Sequence, residues 1–318
     1  MLSIQGRRLL RPCTLVKGHN CILMNKGNEK GIKALSVIGL IITTVIWGSA
    51  FVVMKNSVDV ISPTYLLALR FTIAFAALTV VFWKRLKRVG KTDIICGLVL
   101  GFFLFISYFF QTYGLKYTTA SKNAFITTLY VILVPFLHWF FNRKKPSKNN
   151  VGAAVIAVIG LGFISLEGDL RVNIGDFMTL ICGIFFAFHI VFVDRYTEIH
   201  DPIILTVMQM AVAAGLSWLV APLLEGGLDL SVIDHSMTVS LLYLGIFSTM
   251  ICFLLQNMGQ KHLSPNTSSI ILSFESVFGL LFSVFLLGEP VTLKLLTGCA
   301  LLFLSVILSE FKKQTPAA

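Results

Sequence analysis

The chain has 318 residues, 56% of them hydrophobic and only 13% charged, with a formal net charge of +11 and a mean hydropathy of +0.85. The charged share is about half that of a soluble domain, so one water-soluble core cannot hide the apolar residues and a lipid-facing surface is required. The basic excess does not signal nucleic acid, because Lys and Arg occupy short segments between apolar runs, as in membrane loops.

Residues 1–33 differ from the rest, with seven Lys or Arg and a single acid, Glu29. Arg11, Pro12, Lys17 and His19 break residues 9–23 too often for a signal-peptide core. Met24 opens a polar stretch leading into the first apolar run, as a native start would, so residues 1–23 are expected to be dispensable; the alternative is a basic anchor on acidic lipid. Ten apolar runs follow, at 34–54, 63–83, 94–113, 120–141, 151–166, 176–193, 202–224, 238–258, 267–287 and 291–308. Most approach the roughly 20 residues that cross a bilayer as a helix; the fifth, sixth and tenth are short. No alternating polar face marks them, which excludes a transmembrane β-barrel.

Of the 26 Lys and Arg, 20 fall in segments on the N-terminal side of these runs and five on the other side, with Arg70 inside a run. That bias predicts a multi-pass protein of the cell (cytoplasmic) membrane with both termini cytoplasmic. Cys13, Cys21, Cys96, Cys182, Cys252 and Cys299 form no C-x-x-C pair and read as small apolar filler.

The chain also repeats itself. Gln111, Gly114 and Lys116 fall on Gln256, Gly259 and Lys261 at an offset of 145, and Pro63 and Arg70 fall on Pro202 and Gln209 at an offset of 139. Each copy carries five runs. Five is odd, so the second copy enters the membrane from the opposite side, an arrangement that lets two bundles rock about a shared midplane site. The predicted fold is all-α: ten transmembrane helices in two inverted five-helix repeats, residues 34–166 and 174–311, after a basic extension of residues 1–33.

Several stretches resemble the EamA family of drug/metabolite transporters: I-W-G-S-A-F-V-V-M-K from Ile46, S-P-T-Y-L-L-A-L-R-F from Ser62, G-L-K-Y-T-T-A-S-K-N-A from Gly114, P-N-T-S-S-I-I-L-S-F-E-S-V-F-G from Pro265 and L-G-E-P-V-T from Leu287. The resemblance covers nearly all of residues 34–311. It implies a ten-helix carrier with a central cavity between its halves, moving small organic solutes such as amino acids or other metabolites.

Polar side chains inside a membrane need a partner or a wet cavity. Asn123, Thr127 and Tyr130 stand at i, i+4 and i+7, and Ser268, Leu272 and Glu275 repeat the spacing at the offset of 145. Both faces are expected to line the shared cavity or to fix helix packing by hydrogen bonds. Glu275, the one acid well inside a run, is a candidate to load and release a proton, to meet a substrate amine, or to form a structural pair. Gln111 and Gln256 end equivalent runs and either bind solute or cap loops. His189 lies deep in a run, whereas His138 sits near a basic loop and reads as interfacial. Trp47 and Tyr108 are candidate aromatic walls. Arg70 is assigned a structural or gating role. Gly97 and Gly101 give a small-residue face for close helix contact.

No Walker motif, H-E-x-x-H, G-x-S-x-G or zinc spacing occurs. The expected protein is therefore a secondary carrier exporting a small organic metabolite. It calls for no cofactor and no metal; its partners are the solute, the lipid bilayer and, through Glu275, a coupling proton. The alternatives are a non-transporting membrane subunit or an intramembrane enzyme.

Overall fold

The computed structural model describes residues 26–142, 146–165 and 173–310, and all regular structure among them is helical. The expectation that residues 1–23 are dispensable lies outside the described residues. Eight segments are long and apolar enough to cross a membrane, and two shorter apolar stretches, Lys148–Ile164 and Leu293–Leu308, complete ten. The first three spans are single helices: α1 (Lys26–Val58), α2 (Pro63–Leu86) and α3 (Lys91–Tyr117). The fourth is broken into α4 (Ala120–Thr127) and α5 (Tyr130–Asn142), and the short fifth is α6 (Lys148–Ser165). The sixth and seventh are α7 (Ile174–Thr197) and α8 (Pro202–Glu225). The eighth runs from α9 (His235–Leu242) through a π-helical stretch (Tyr243–Ile251) to α10 (Cys252–Gln260). The ninth is broken into α11 (Pro265–Ser273) and α12 (Glu275–Leu287), and the short tenth is α13 (Leu293–Glu310).

Local sequence accounts for the helix starts. Pro63, Pro202 and Pro265 each open a helix at its first turn, where the missing N–H is no loss. The sixth span is longer than its apolar run suggests: Asn173 caps it by accepting from Gly175 N at 2.8 Å, and the helix carries on past Arg195 to Thr197.

The halves pack as an inverted pair. Short connections make successive spans alternate in direction, so spans five apart run oppositely. α2 and α8 show it directly: Arg85, near the end of α2, pairs with Asp201 before α8 at 2.8 Å, while Thr64, near the start of α2, bonds Glu225 at the end of α8. α6 and α13 also run oppositely, in contact through Gly160 and Gly298; a Cβ on Gly160 would stand 3.0 Å from Gly298 O, and one on Gly298 2.8 Å from Gly160 O. Contacts between the halves come in exchanged pairs. α3 lies on α7 with Gly114 against Gly175 and Thr179, and the equivalent α10 lies on α1 with Gly259 against Leu40. Without side chains at these glycines the helices approach closely, which substitutes packing for a hydrophobic drive that lipid does not supply. Gly97 and Gly101 do the same within this chain, seating α3 on Met208, Gln209 and Val212 of α8.

Candidate functional site

A small cavity, of about 30 Å³, lies between the halves, near mid-span. Its wall is largely aromatic and aliphatic, from Trp47, Phe51, Tyr108, Tyr130, Phe186 and Leu272, with polar groups from Arg70, Gln111, Ser248, Gln256 and Glu275. Few polar groups on an apolar wall is the usual make-up of a small-molecule site.

The two broken spans build its centre. In the fourth, the backbone tightens to i→i−3 bonds, with Leu129 N on Ile126 O at 3.2 Å and Val131 N on Thr128 O at 3.0 Å. The ninth does the same at Phe274, whose N–H reaches Ile271 O at 3.2 Å. The residue after each break is Tyr130 in one half and Glu275 in the other, the pair equivalent at an offset of 145. The Tyr130 hydroxyl donates to Glu275 Oε1 at 3.3 Å, so these equivalent residues meet across the interface of the halves. Discontinuous helices at mid-membrane are where carriers place irregular backbone, because there it lines a cavity.

The breaks also re-aim side chains. Asn123, Thr127 and Ser268 lie before them and do not line the cavity, contrary to the expected single faces. Of the two sets only Tyr130, Leu272 and Glu275 line it; Tyr130 and Glu275 follow the breaks at residues 128–129 and 274, and Leu272 lies one turn nearer the break than Ser268 in α11. Asn123 instead donates from Nδ2 to Gln111 O at 3.1 Å and to Thr179 Oγ1 at 2.8 Å, tying α4 to α3 and α7. Thr127 accepts from Gln111 Nε2 at 3.2 Å, which holds that amide in the wall. Ser268 is buried with no hydrogen-bond partner for its hydroxyl among the described residues. His189 is outside the wall as well: its Nε2 meets Gln209 Oε1 at 2.9 Å, and the Phe253 ring contacts the imidazole and also the Trp47 and Tyr108 rings of the wall. Trp47, Tyr108, Gln111 and Gln256 do line it; Gln256 donates to Gln260 Oε1 at 3.0 Å while its own Oε1 has no partner among the described residues.

Arg70 is fully buried in the cavity wall, 0% exposed, so its stem does not carry the guanidinium to either surface. Nε donates to Thr249 Oγ1 at 3.0 Å, Nη2 to Ser248 Oγ at 3.1 Å, and Nη1 points at Met54 Sδ at 3.0 Å. The guanidinium lies 4.7 Å from the centre of the Tyr108 ring. Among the described residues no carboxylate lies within ion-pair distance of Arg70, and no cation within that distance of Glu275. Both oxygen partners of Arg70 belong to the π-helical stretch, and Trp47 Nε1 donates to its Ser248 carbonyl at 2.8 Å. A π stretch frees backbone carbonyls that an α-helix would occupy, and such stretches concentrate at functional sites.

Sequence reading missed Phe186, Ile190, Met54, Phe51 and the Ser248–Thr249 pair. One signal was available: Phe186 stands 139 residues after Trp47, the offset that relates Pro63 to Pro202, and both rings line the cavity. The π stretch left no comparable mark.

Comparison with known proteins gives one consistent picture. The EamA-like transporter family matches the chain twice, over residues 34–166 and 173–311. An uncharacterized transporter of Archaeoglobus fulgidus is 33% identical over 91% of this chain and 91% of its own length. A Salmonella typhimurium protein named a probable amino-acid metabolite efflux pump is 28% identical over 85% of this chain and 93% of its own. A solved crystal structure at 18% identity superposes with a TM-score of 0.65, covering 87% of this chain and 96% of the other, which shows a shared fold.

Proposed function

The chain belongs to the EamA-like transporter family of membrane proteins, and from that premise we propose that it is a secondary carrier exporting a small amino-acid-like metabolite by alternating access between its two halves. One observation carries the substrate class. Among the described residues, a buried guanidinium without a carboxylate partner and a buried carboxyl group without a cation partner line the same cavity. Isolated charges in a membrane interior are costly, and a solute carrying both a carboxylate and an amine complements both at once. Arg70 takes the carboxylate through its planar fork, and Glu275 takes the amine or, in alternation with it, a proton. Trp47, Tyr108, Tyr130 and Phe186 pack the side chain, with Gln111 and Gln256 as amide contacts. The name of the Salmonella relative, at 28% identity, supports the same class.

The charge bias of the sequence supports cytoplasmic termini, so the proposed export runs away from the N-terminal side. The test is reconstitution into lipid vesicles followed by counterflow of radiolabelled amino acids. Saturable exchange that requires Arg70 is the expected result. Exchange of neutral or cationic solutes that is untouched by Arg70→Gln overturns the substrate class, and absence of any solute movement by folded protein overturns the carrier.

A further inference from the structure

At the end of the molecule opposite the start of α1, here called the side opposite the N-terminus, the second half holds the first by carboxylates. Glu225, at the end of α8, accepts from Thr64 N at 3.0 Å, Thr64 Oγ1 at 3.0 Å and Tyr65 N at 3.3 Å, the first amides of α2, and from the Tyr113 hydroxyl. Glu289, after α12, accepts from Ala120 N at 2.6 Å and Ser121 N at 3.1 Å, the first amides of α4, and from the Ser121 hydroxyl. Asp176, at the start of α7, takes the Thr118 hydroxyl and Lys122 Nζ, the latter at 3.4 Å. Each bond crosses from one half to the other. A helix start has unpaired N–H groups and a positive dipole end, so a carboxylate is its natural partner.

The two-fold relation makes the other end a built-in control. The equivalents of α2 and α4 are α8 and α11. There α8 is capped from its own half by Asp201, which accepts from Ile203 N at 2.9 Å. α11 is capped by its own Ser264, which accepts from Thr267 N at 3.2 Å. The halves meet at that end through a solvent-exposed Arg85–Asp201 pair and through His200 on Asp93 at 2.6 Å. The exposed Arg85–Asp201 pair holds little, whereas His200 and Asp93 are mostly buried. α4 keeps the equivalent cap of its own, Thr119 accepting from Lys122 N at 3.3 Å, but Ser62 caps nothing on α2; the carboxylates from the opposite half on the first amides of both helices are what the other end lacks.

We infer that Glu225 and Glu289 are the latch of one gate: they keep the cavity shut on the side opposite the N-terminus, and opening that side requires both carboxylates to leave the starts of α2 and α4. The inference rests on the alternating-access reading of the two halves and adds which bonds must break in it. It also explains why α2 has no cap from its own half and why α4 has a carboxylate besides its own Thr119 cap, since a cap from the same half travels with its helix and gates nothing.

The test uses the full chain with its six cysteines replaced and a single cysteine at Ala50, a cavity-wall position outside the polar groups. Sidedness in vesicles is set by protease cleavage of an N-terminal tag, and labelling by a membrane-impermeant maleimide is timed from each side. Glu225→Ala and Glu289→Ala should each speed labelling from the side opposite the N-terminus at least fivefold, the double variant more, and slow it from the N-terminal side. Conversely, oxidation of a Ser121→Cys, Glu289→Cys pair to a disulfide should cut labelling from the opposite side to background and leave the N-terminal side open. Gel filtration and melting temperature confirm the fold of each variant. Unchanged rates in a folded double variant, or an equal rise from both sides, overturn the latch. If Ala50→Cys labels from neither side in the unlatched and unlocked protein alike, the alternating-access reading fails instead.

Discussion

The two halves share a scaffold and differ where the cavity is charged. At the offset of 139, Arg70 of α2 stands where α8 has Gln209; at the offset of 145, Glu275 of α12 stands where α5 has Tyr130. Arg70 faces the cavity, whereas Gln209 turns to His189 and lies outside the wall. The third span is one α-helix from Lys91 to Tyr117, whereas its equivalent, the eighth, contains the π stretch that receives Arg70. Each half therefore contributes one charged group and one neutral counterpart. Repetition places helices, broken spans and glycine contacts symmetrically; departures from it place a positive and a negative group in one cavity, which a symmetric pair could not do.

Making the halves alike should then abolish what their difference creates. Arg70→Gln, which copies the second half, should have the largest effect, lowering transport of a carboxylate-bearing solute by about 10²-fold, as for a charge-assisted interaction of roughly 2–3 kcal/mol. Counterflow in vesicles measures it. Arg70→Lys should recover only part, because an ammonium lacks the planar fork. Loss of binding with retained melting temperature separates a solute contact from a structural one. Glu275→Gln is the second-largest. Accumulation driven by a proton gradient should fall at least tenfold while solute exchange persists, because exchange moves no net proton. Weakened binding without loss of coupling would assign Glu275 to the substrate amine alone.

The comparison of halves also marks what could be read from the sequence. The ten spans and the repeat follow from apolar runs and from Gln111 and Gln256, whose equivalence the structure keeps by placing both in one wall. The offset alone pairs Tyr130 with Glu275, and they meet at 3.3 Å. Of the two roles the spacing leaves open, Asn123 and Thr127 take the packing one, and the breaks that separate them from Tyr130 leave no compositional trace. Arg70 was assigned to structure or gating because one charge in an apolar run shows neither its partners nor its depth of burial. Ser248 and Thr249 were passed over since a π stretch reads as ordinary apolar helix. The carboxylates Glu225 and Glu289 sit in loop sequence, where an acid is unremarkable until the helix start it caps is known.

A smaller effect should follow from making the eighth span resemble the third. Deleting half-exposed Phe247 should remove the extra residue of the π stretch and draw Ser248 and Thr249 away from Arg70 and Trp47. The Arg70 fork then loses its fixed orientation but keeps its charge. Solute binding should weaken about tenfold, by analogy with the loss of one neutral hydrogen bond of about 1 kcal/mol or slightly more. Isothermal titration with the solute identified by counterflow measures this. Binding unchanged by the deletion would show that the π stretch only accommodates packing.

The smallest effect on transport belongs to the neutral counterpart of Arg70. Gln209 and His189 bond each other at 2.9 Å, while Gln209 Nε2 and His189 Nδ1 have no partner among the described residues. Removing one member leaves the other buried and unsatisfied, which costs about 1–3 kcal/mol, whereas replacing both with apolar side chains of similar size is close to neutral. Gln209→Met and His189→Leu should each lower the melting temperature, and the double variant should regain most of the loss. A double-mutant cycle on melting temperatures reads the coupling. Transport by the double variant should stay within about twofold of the parent, because a coupled buried pair outside the cavity wall meets no solute and its joint removal leaves the wall packed. If Gln209→Met instead reduced transport as far as Arg70→Gln, the two positions would share a role, and the charged cavity would owe nothing to the departure of one half from the other.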